Sequence, residues 1–369
     1  ATYVDVSRSH ASGNVTILAD NTGGGTTPYG GGGLIGSISG GSIDLSYATG
    51  TVQSSDSTAQ RLGGLVGYSL APITRSFATG DVIHSGSVAG GLVGVTFGSI
   101  TDSYATGDVS GTDKIGGLVG WMLNGSSVNR SYATGSVNAS VNGGGLVGTM
   151  VTGTITLSDS VWDTQTTGQS SAIGNQLGGA VSNVSGVDSA AMMRLDTFVA
   201  AGFGIDDQGG TSNTWRIYEG QTAPLLRGFL TAVTVTADDK TKTYDGSVYS
   251  GGFTYSLSDS GVALLGAFGG GDAASATAVG SYAIGSEFYS DQFGYDIVDA
   301  PGTLTITEVA PDSPDPLPQV LERNRLAGPD ALELDPEVSD VCEPGVIGGK
   351  DSVHPCNSRF GTWLSAVAE

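Results

Sequence analysis

The sequence predicts an all-β protein: a parallel β-helix, or β-solenoid, with repeats of about 28 residues, followed by a small β-sandwich or β-grasp-like domain and a Pro-rich acidic tail. Three observations predict it. Two short strings recur at a constant spacing, 61 of the 369 residues are Gly, and the composition changes after the last repeat. A chain rich in Gly, Ser, Thr and Val forms helices poorly and favours short strands between turns.

The repeats are two interleaved strings. S-[YF]-A-T-G-x-V begins at Ser46, Ser76, Ser103 and Ser131, and G-G-L-[VI]-G begins at Gly32, Gly63, Gly90, Gly116 and Gly144. One such unit has too little apolar surface to fold alone and must stack on its neighbours. Its period is short for a helix pair, and its residues alternate as in a strand. We therefore expect two or three short strands per unit, paired in parallel between units.

Stacking places equivalent residues of successive units above each other. Glycine pairs such as Gly63–Gly64 are expected to turn the chain, where a Cβ would clash or φ must be positive. The aromatic residues should form a column: Tyr47, Phe77, Tyr104 and Tyr132. Because aromatic rings stack on sugar rings, this column is a candidate glycan-binding face. The alternative, which we favour, is that the rings pack against neighbouring units or a capping loop.

Composition divides the chain into five parts. The last, degenerate repeat ends near residue 171, and a short helix is expected at 190–198. The predicted parts are a solenoid (1–171), a cap with an irregular segment (172–230), a β domain (231–309), an acidic Pro-rich linker (310–340) and a terminal segment with both cysteines (341–369).

Charge and hydropathy restrict the partners. The formal net charge is −22, with only 14 Lys and Arg, and such a field repels nucleic acid and anionic lipid. No run of about 18 apolar residues exists, so no transmembrane helix is expected. The first residues do not resemble a signal peptide, which suggests a mature chain or a fragment of a longer one.

The polar residues do not suggest an active site. Acids in the repeats are scattered singly, and the histidines do not form a nucleophile–histidine–acid pattern. GGLVG lacks the Lys-Ser/Thr of a phosphate-binding loop. We therefore predict no enzyme, no catalytic or metal-ligating residue and no cofactor, although a carbohydrate-active β-helix remains an alternative. Calcium binding by Asp206–Asp207, Asp238–Asp239 or Asp245 is possible, but their spacing fits turns better.

Several of these segments resemble known families. The interleaved strings resemble the GLUG-motif repeats of bacterial surface proteins, and SVWDTQTTGQ with TWRIYEGQTAPLL resembles the usual end of such an array. DDKTKTYDGSVYSGGFTYS, with GTLTIT further on, resembles a YDG/MBG-type β domain. The combination resembles the C-terminal part of a filamentous-haemagglutinin-like exoprotein of two-partner secretion. The resemblance implies a right-handed parallel β-helix, export through an outer-membrane β-barrel transporter, and adhesion or biofilm attachment at the cell surface.

Cys342 and Cys356 enclose a short loop rich in Gly and Pro. In an oxidising compartment we expect them to form a disulfide; zinc is disfavoured because only His354 lies nearby. Some of the exoproteins that this chain resembles keep such a disulfide-closed loop as a hook that stops the protein from leaving its transporter, and the resemblance implies this role for Cys342 and Cys356. The alternative is a local staple. We accordingly predict a surface-tethered adhesin segment with a polysaccharide or host-surface ligand, or else a passive stalk whose binding regions lie in missing N-terminal parts.

Overall fold

A computed structural model describes residues 3–18, 30–55 and 61–310. The predicted all-β solenoid is confirmed. Helices in these residues are short: α-helices Thr164–Thr167 and Leu195–Ala200, and 3₁₀ helices Ala191–Met193, Arg227–Phe229 and Gly271–Ser275. Within the same part of the chain, no helix has the length and apolar character needed to cross a membrane.

Each coil of the solenoid contains up to five short strands, more than the two or three expected. Strands of successive coils pair in parallel and form five rows, numbered here in chain order. Row 1 contains Val4–Ser7, Gly41–Asp44, Ile73–Thr74, Ser99–Thr101 and Ser127–Asn129, and row 2 contains His10–Ala11, Tyr47–Ala48, Phe77–Ala78, Tyr104–Ala105 and Tyr132–Ala133. Two longer strands, Thr156–Asp163 and Ala180–Val187, continue both rows.

The other three rows complete the coil. Row 3 contains Val15–Ile17, Val52–Ser54, Val82–His84, Val109–Gly111 and Val137–Ala139. Row 4 contains Gly30–Gly32, Arg61–Gly63, Val88–Gly90, Ile115–Gly116 and Gly143–Gly144. Row 5 contains Ile35–Ile38, Val66–Ser69, Val93–Thr96, Val119–Met122, Val147–Met150 and Ile173–Gln176.

A bend separates row 1 from row 2. One residue per coil has positive φ there, between 43° and 53°: Arg8, Leu45, Arg75, Asp102, Arg130, Asp159 and Asn183. The serine that follows in the repeats is buried. Its Oγ accepts the backbone N–H of the corresponding serine one coil earlier, at 3.1–3.3 Å. The same hydroxyl donates to the carbonyl two residues before it, at 2.7–3.0 Å. The bend is therefore closed by a continuous serine ladder.

Two apolar cores fill the solenoid. One lies between rows 1, 2 and 5, and the other between rows 3 and 4. The glycines of GGLVG, at the corner between rows 4 and 5, let successive coils pack closely. A Cβ on Gly91 would lie 2.1 Å from the carbonyl oxygen of Gly117 and 2.9 Å from Ala105 Cβ. Gly91 does not have positive φ, so close approach, not backbone handedness, requires glycine here.

The solenoid extends beyond the predicted boundary at residue 171. Ile173–Gln176 joins row 5, and Ala180–Val187 pairs along the whole of Thr156–Asp163. This last coil lacks both repeated strings, so the sequence did not reveal it. The helix expected at 190–198 is present as two pieces, Ala191–Met193 and Leu195–Ala200.

The rest of the described chain forms a cap and a β domain. The cap carries a small sheet of Ile205–Asp206, Trp215–Arg216 and Leu225–Leu226. The β domain has two three-stranded sheets, consistent with the predicted small sandwich. One contains Tyr255–Leu257, Thr231–Ala237 and Tyr295–Ala300; the other contains Lys240–Thr243, Gly302–Thr307 and Gly280–Ile284.

Candidate binding surfaces

The aromatic column of row 2 is a regular stack. Neighbouring rings of Tyr47, Phe77, Tyr104 and Tyr132 lie 4.8–5.0 Å apart, with interplanar angles of 1–4°. His10 extends the stack on Tyr47, at 5.0 Å and 9°. This is the arrangement that the repeat spacing predicts, because each coil adds one strand spacing of about 4.8 Å.

The stack is covered rather than presented to solvent. Phe77, Tyr104 and Tyr132 are only 0%, 3% and 2% exposed. The covering aromatic residues come from the cap and the β domain: Phe198, Phe203, Trp215, Phe229 and Phe293. The ring faces of Phe77, Tyr104 and Tyr132 are therefore not open to a sugar in this structure. The packing of Phe77, Tyr104 and Tyr132 corresponds to the capping alternative. Tyr47 is only partly buried, and glycan binding by the column stays a prediction.

The buried phenols also hold the cover in place. Tyr104 Oη donates to Gln292 Oε1 at 3.0 Å, and Tyr132 Oη donates to the carbonyl of Pro224 at 2.7 Å. Gln292 in turn exchanges hydrogen bonds with both backbone groups of Leu226. Burial raises the pKa of Tyr104 and of Tyr132 well above the usual tyrosine value. Both hydroxyls therefore remain protonated and join the solenoid to the cap and β domain.

An ionic cluster joins the cap to the β domain. Arg227 pairs with Asp206 at 2.6 Å and also with Asp296, and Arg216 Nε lies 3.7 Å from Asp296. Burial alone would raise the pKa of Asp206, but hydrogen bonds from Thr211 and Asn213, with the charge of Arg227, lower it below the usual value. Asp206 thus serves as a structural ion-pair partner.

The other acids considered for calcium also make structural contacts. Hydrogen bonds from Lys242 and Ser247 lower the pKa of Asp245 to about 2. Asp238 lies 3.9 Å from Lys240, and Asp239 accepts the N–H of Thr303 at 2.8 Å. Across residues 3–18, 30–55 and 61–310, no group of three or more His, Cys, Asp and Glu is placed to hold a metal ion.

Two acids of the repeats bind the next coil through its backbone. Asp81 Oδ1 accepts the N–H of Asp108, at 3.0 Å, and Asp108 Oδ1 accepts the N–H of Ser136, at 2.8 Å. Asp81 and Asp108 occupy equivalent positions of successive repeats, so their like charges lie in register. Each carboxylate is stabilised by a backbone N–H donor of the next coil. Both side chains have a structural use, although both residues are exposed.

Half-exposed aromatic residues lie beside rows 4 and 5. The guanidinium of Arg61 lies 5.2 Å from the ring centre of Tyr68, and Lys114 Nζ lies 5.6 Å from that of Trp121. Phe97 meets Tyr68 edge-on at 5.9 Å. Sequence reasoning missed these pairs because they lie just outside the repeated strings. The available signal was an aromatic residue directly after GGLVG in two of the units.

A small cavity lies where the row 1–row 2 bend meets the cap. Its volume is about 230 Å³, and it is lined by Leu45, Arg75, residues 211–214 and residues 226–228. The guanidinium of Arg75 is held by Asp44 at 2.5 Å. The cavity is smaller than the 300–1,000 Å³ or so of most small-molecule sites. Cys342 and Cys356, the predicted hook, lie outside the described residues.

Comparison with known proteins adds one family. Residues 85–110 match the model described as the GLUG motif. The chain carries a GLUG repeat. In the structure this segment runs from the end of one row 3 strand into the next, so the motif is one coil of the solenoid. No curated protein and no solved structure matches the chain.

Proposed function

We propose that this chain is part of an extracellular bacterial adhesin exported by two-partner secretion and tethered at the outer membrane. The observation that carries the proposal is the stack of GLUG coils locked to a second domain. Adjacent coils are joined by backbone pairing in every row, and the β domain is fixed by Gln292, Phe293 and Asp296. Such a rod suits a protein that holds a binding surface away from a cell.

A polysaccharide or host-surface molecule is the proposed ligand. The Arg61–Tyr68 and Lys114–Trp121 pairs are the surface best suited to it, because partly exposed rings can stack on sugars while cations bind their polar groups. Burial of the row 2 aromatic column favours a second candidate, in which this chain is a passive stalk. We propose no catalytic activity; Asp44, Asp81 and Asp102, for example, are acids of the repeats that are engaged in structural contacts.

One experiment tests attachment and tethering together. Bacteria producing the whole protein are compared with Cys342→Ser, Cys356→Ser and, as a matched control, Ser358→Ala. We expect either cysteine variant to release the protein into the medium and to lower surface attachment, while the control keeps both. Equal surface retention in all strains would contradict the hook.

Competition separates the adhesin from the stalk. The purified 369-residue chain, added in excess, should lower attachment of wild-type cells if this chain itself binds the surface. Unchanged attachment would leave the stalk as the function and exclude direct binding by this chain.

A further inference from the structure

An apolar column runs along the end of the row 5 strands. The residue that directly follows the strand is apolar in successive coils: Leu70, Phe97, Leu123, Val151 and Leu177. The N–H of each donates to a carbonyl of the coil before it, at 2.8–3.3 Å, so these side chains follow one another at one strand spacing of about 4.8 Å. Leu70 is 43% and Leu177 is 58% exposed, and the other three are partly exposed. A continuous exposed apolar surface usually marks a binding site.

Two aromatic rings in row 5 stand beside this column. Tyr68 pairs in register with Val95, and Val95 pairs with Trp121. Both rings are partly exposed, whereas Val95 between them is 0% exposed. The rings therefore occupy equivalent positions that are two strand spacings, or about 10 Å, apart along the solenoid. The apolar column together with Tyr68 and Trp121 is called the apolar strip below.

Hydrogen-bond donors accompany the two rings. The guanidinium of Arg61 lies over the ring of Tyr68, and the ammonium of Lys114 lies over that of Trp121. Within residues 3–18, 30–55 and 61–310, neither Arg61 Nη1 nor Trp121 Nε1 has a hydrogen-bond partner, although both atoms are buried. Buried donors in folded proteins nearly always have an acceptor. An oxygen-rich ligand lying across the strip would supply one after a small rotation of either side chain.

The period of the strip fits a sugar polymer. A straight surface that repeats along its length matches a straight ligand that also repeats. A β-1,4-linked polysaccharide is a flat ribbon in which every second sugar presents the same face, so two sugar units correspond to the two-coil spacing of Tyr68 and Trp121. The faces of its sugars are lined by apolar C–H groups and their edges carry hydroxyls. Rings and aliphatic side chains flanked by cationic donors complement both.

Charge favours an uncharged polysaccharide over an acidic one. The chain has a formal net charge of −22, and such a field repels an anionic polymer. Lys114 is already paired with Asp113, and the same carboxylate accepts a hydrogen bond from Asn142. The cations of the strip therefore serve as hydrogen-bond donors and ring partners and do not form a basic patch.

We propose that the apolar strip binds a neutral β-1,4-linked polysaccharide extended along the solenoid, with alternate sugars against Tyr68 and Trp121. This inference rests on the proposed function, because it names the class of polysaccharide that the surface holds and the direction in which the polymer runs. The site lies along row 5, whereas the cap and the β domain cover row 2.

Calorimetric titration of the 369-residue chain tests the ligand class. The probes are the neutral β-1,4-linked sugars cellohexaose, mannohexaose and N-acetylated chitohexaose. Hexamannuronate has the linkage of mannohexaose but is acidic, and maltohexaose has the glucose of cellohexaose in a curved, α-linked chain. We expect at least one neutral β-1,4-linked hexasaccharide to bind, and both comparison sugars to bind more weakly. Binding of none of the three, or equally tight binding of hexamannuronate or maltohexaose, would overturn the proposal.

Chain length tests the spacing of the rings. A trisaccharide is the shortest ligand that can contact both rings, so wild type should bind it about tenfold more tightly than the disaccharide of the same series. Tyr68→Ala and Trp121→Ala should each remove this difference. Tyr244→Ala is the matched control, at a tyrosine of the β domain that is 44% exposed, and should keep it. A length dependence that survives in both ring variants would rule out the two-ring arrangement.

A second kind of variant leaves both rings in place. Leu70→Lys changes a side chain that is 43% exposed, so it charges the strip without opening the core. It should weaken binding of the hexasaccharide, whereas Val248→Lys, at a valine of the β domain that is 46% exposed, should not. Circular dichroism confirms that each variant is folded. Equal binding by the two lysine variants would exclude the apolar column from the site.

The results also separate this inference from the proposed function. If the sugars do not bind but the purified chain still competes with wild-type cells for attachment, the adhesive role stands and the strip is not its glycan site. If the sugars bind at the strip but the chain does not compete, the strip is a polysaccharide site and the adhesive role fails.

Discussion

At the scale of single residues, hydrogen bonding explains why the same serine recurs in each repeat. Ser131 is 0% exposed. Its Oγ accepts the N–H of Ser103 at 3.3 Å and donates to the carbonyl of Asn129 at 2.9 Å. Buried backbone groups need partners, and the left-handed residue before the serine interrupts the strand that would otherwise supply them. The hydroxyl therefore replaces a missing strand contact.

This leads to a prediction for Ser131→Ala. The N–H of Ser103 loses its acceptor, whereas the carbonyl of Asn129 still accepts the N–H of Asp102 at 3.2 Å. An unsatisfied buried polar group costs about 1–3 kcal/mol. We expect the free energy of unfolding to fall by about 2 kcal/mol, measured by urea denaturation. Ser136→Ala, at an exposed serine five residues further on in the same repeat, is the control and should change it little. Equal effects would show that the ladder does not stabilise the bend.

At the scale of the element, the glycines of GGLVG allow successive coils to approach at the corner between rows 4 and 5. A Cβ on Gly91 would meet the carbonyl oxygen of Gly117 at 2.1 Å, and overpacking typically costs about 1–3 kcal/mol. Gly91→Ala should therefore lower the thermal midpoint strongly, measured by circular dichroism. Gly13→Ala is the control, because a Cβ there has nothing within 4 Å. A Gly91→Ala protein that melts with wild type would contradict the close packing.

Elements could be predicted from sequence where the repeat is strict. The repeated strings located the row 2 column of Tyr104 and Tyr132, because stacking needs only a constant spacing. The bend could not be predicted, since its left-handed column holds Arg, Leu, Asp and Asn and so has no common letter. The last coil was missed because Ala180–Val187 keeps the backbone but neither string.

The surfaces were harder to predict than the coils. What covers the aromatic column comes from distant parts of the chain, such as Trp215 and Phe293. Nothing in a repeat encodes that contact. The repeat could thus predict where the rings stack but not whether they face solvent. The Arg61–Tyr68 pair was missed for a related reason, because its residues vary from coil to coil.

At the scale of the whole molecule, the aromatic column makes solenoid, cap and β domain interdependent. Tyr104 packs against Phe77 and Tyr132 within the solenoid, contacts Trp215 of the cap and donates to Gln292 of the β domain. Opening this junction would expose apolar rings from all three parts. We therefore expect them to unfold together, and the ionisation of the buried tyrosines to affect the stability of all three.

The sign of the pH dependence follows from the raised pKa of Tyr104. In the unfolded chain a tyrosine ionises near pH 10, whereas the buried phenol stays protonated. Its contribution to stability is complete below about pH 10 and is lost as pH rises above it, by up to about 1.4 kcal/mol per pH unit for each such group. Tyr104→Phe removes one titrating group, and phenylalanine fits the column because Phe77 already occupies it.

We expect Tyr104→Phe to cost about 1 kcal/mol at pH 7, from the lost hydrogen bond to Gln292. The difference from wild type should shrink or reverse between about pH 10 and 12, as wild type loses the contribution of the buried phenol. Urea denaturation at several pH values measures both effects. Tyr3→Phe is the control: it also removes a phenol, but from a side chain that is 80% exposed, so it should not change the pH dependence of stability. If the Tyr104→Phe difference stays constant with pH, the junction does not keep that phenol protonated in the folded state.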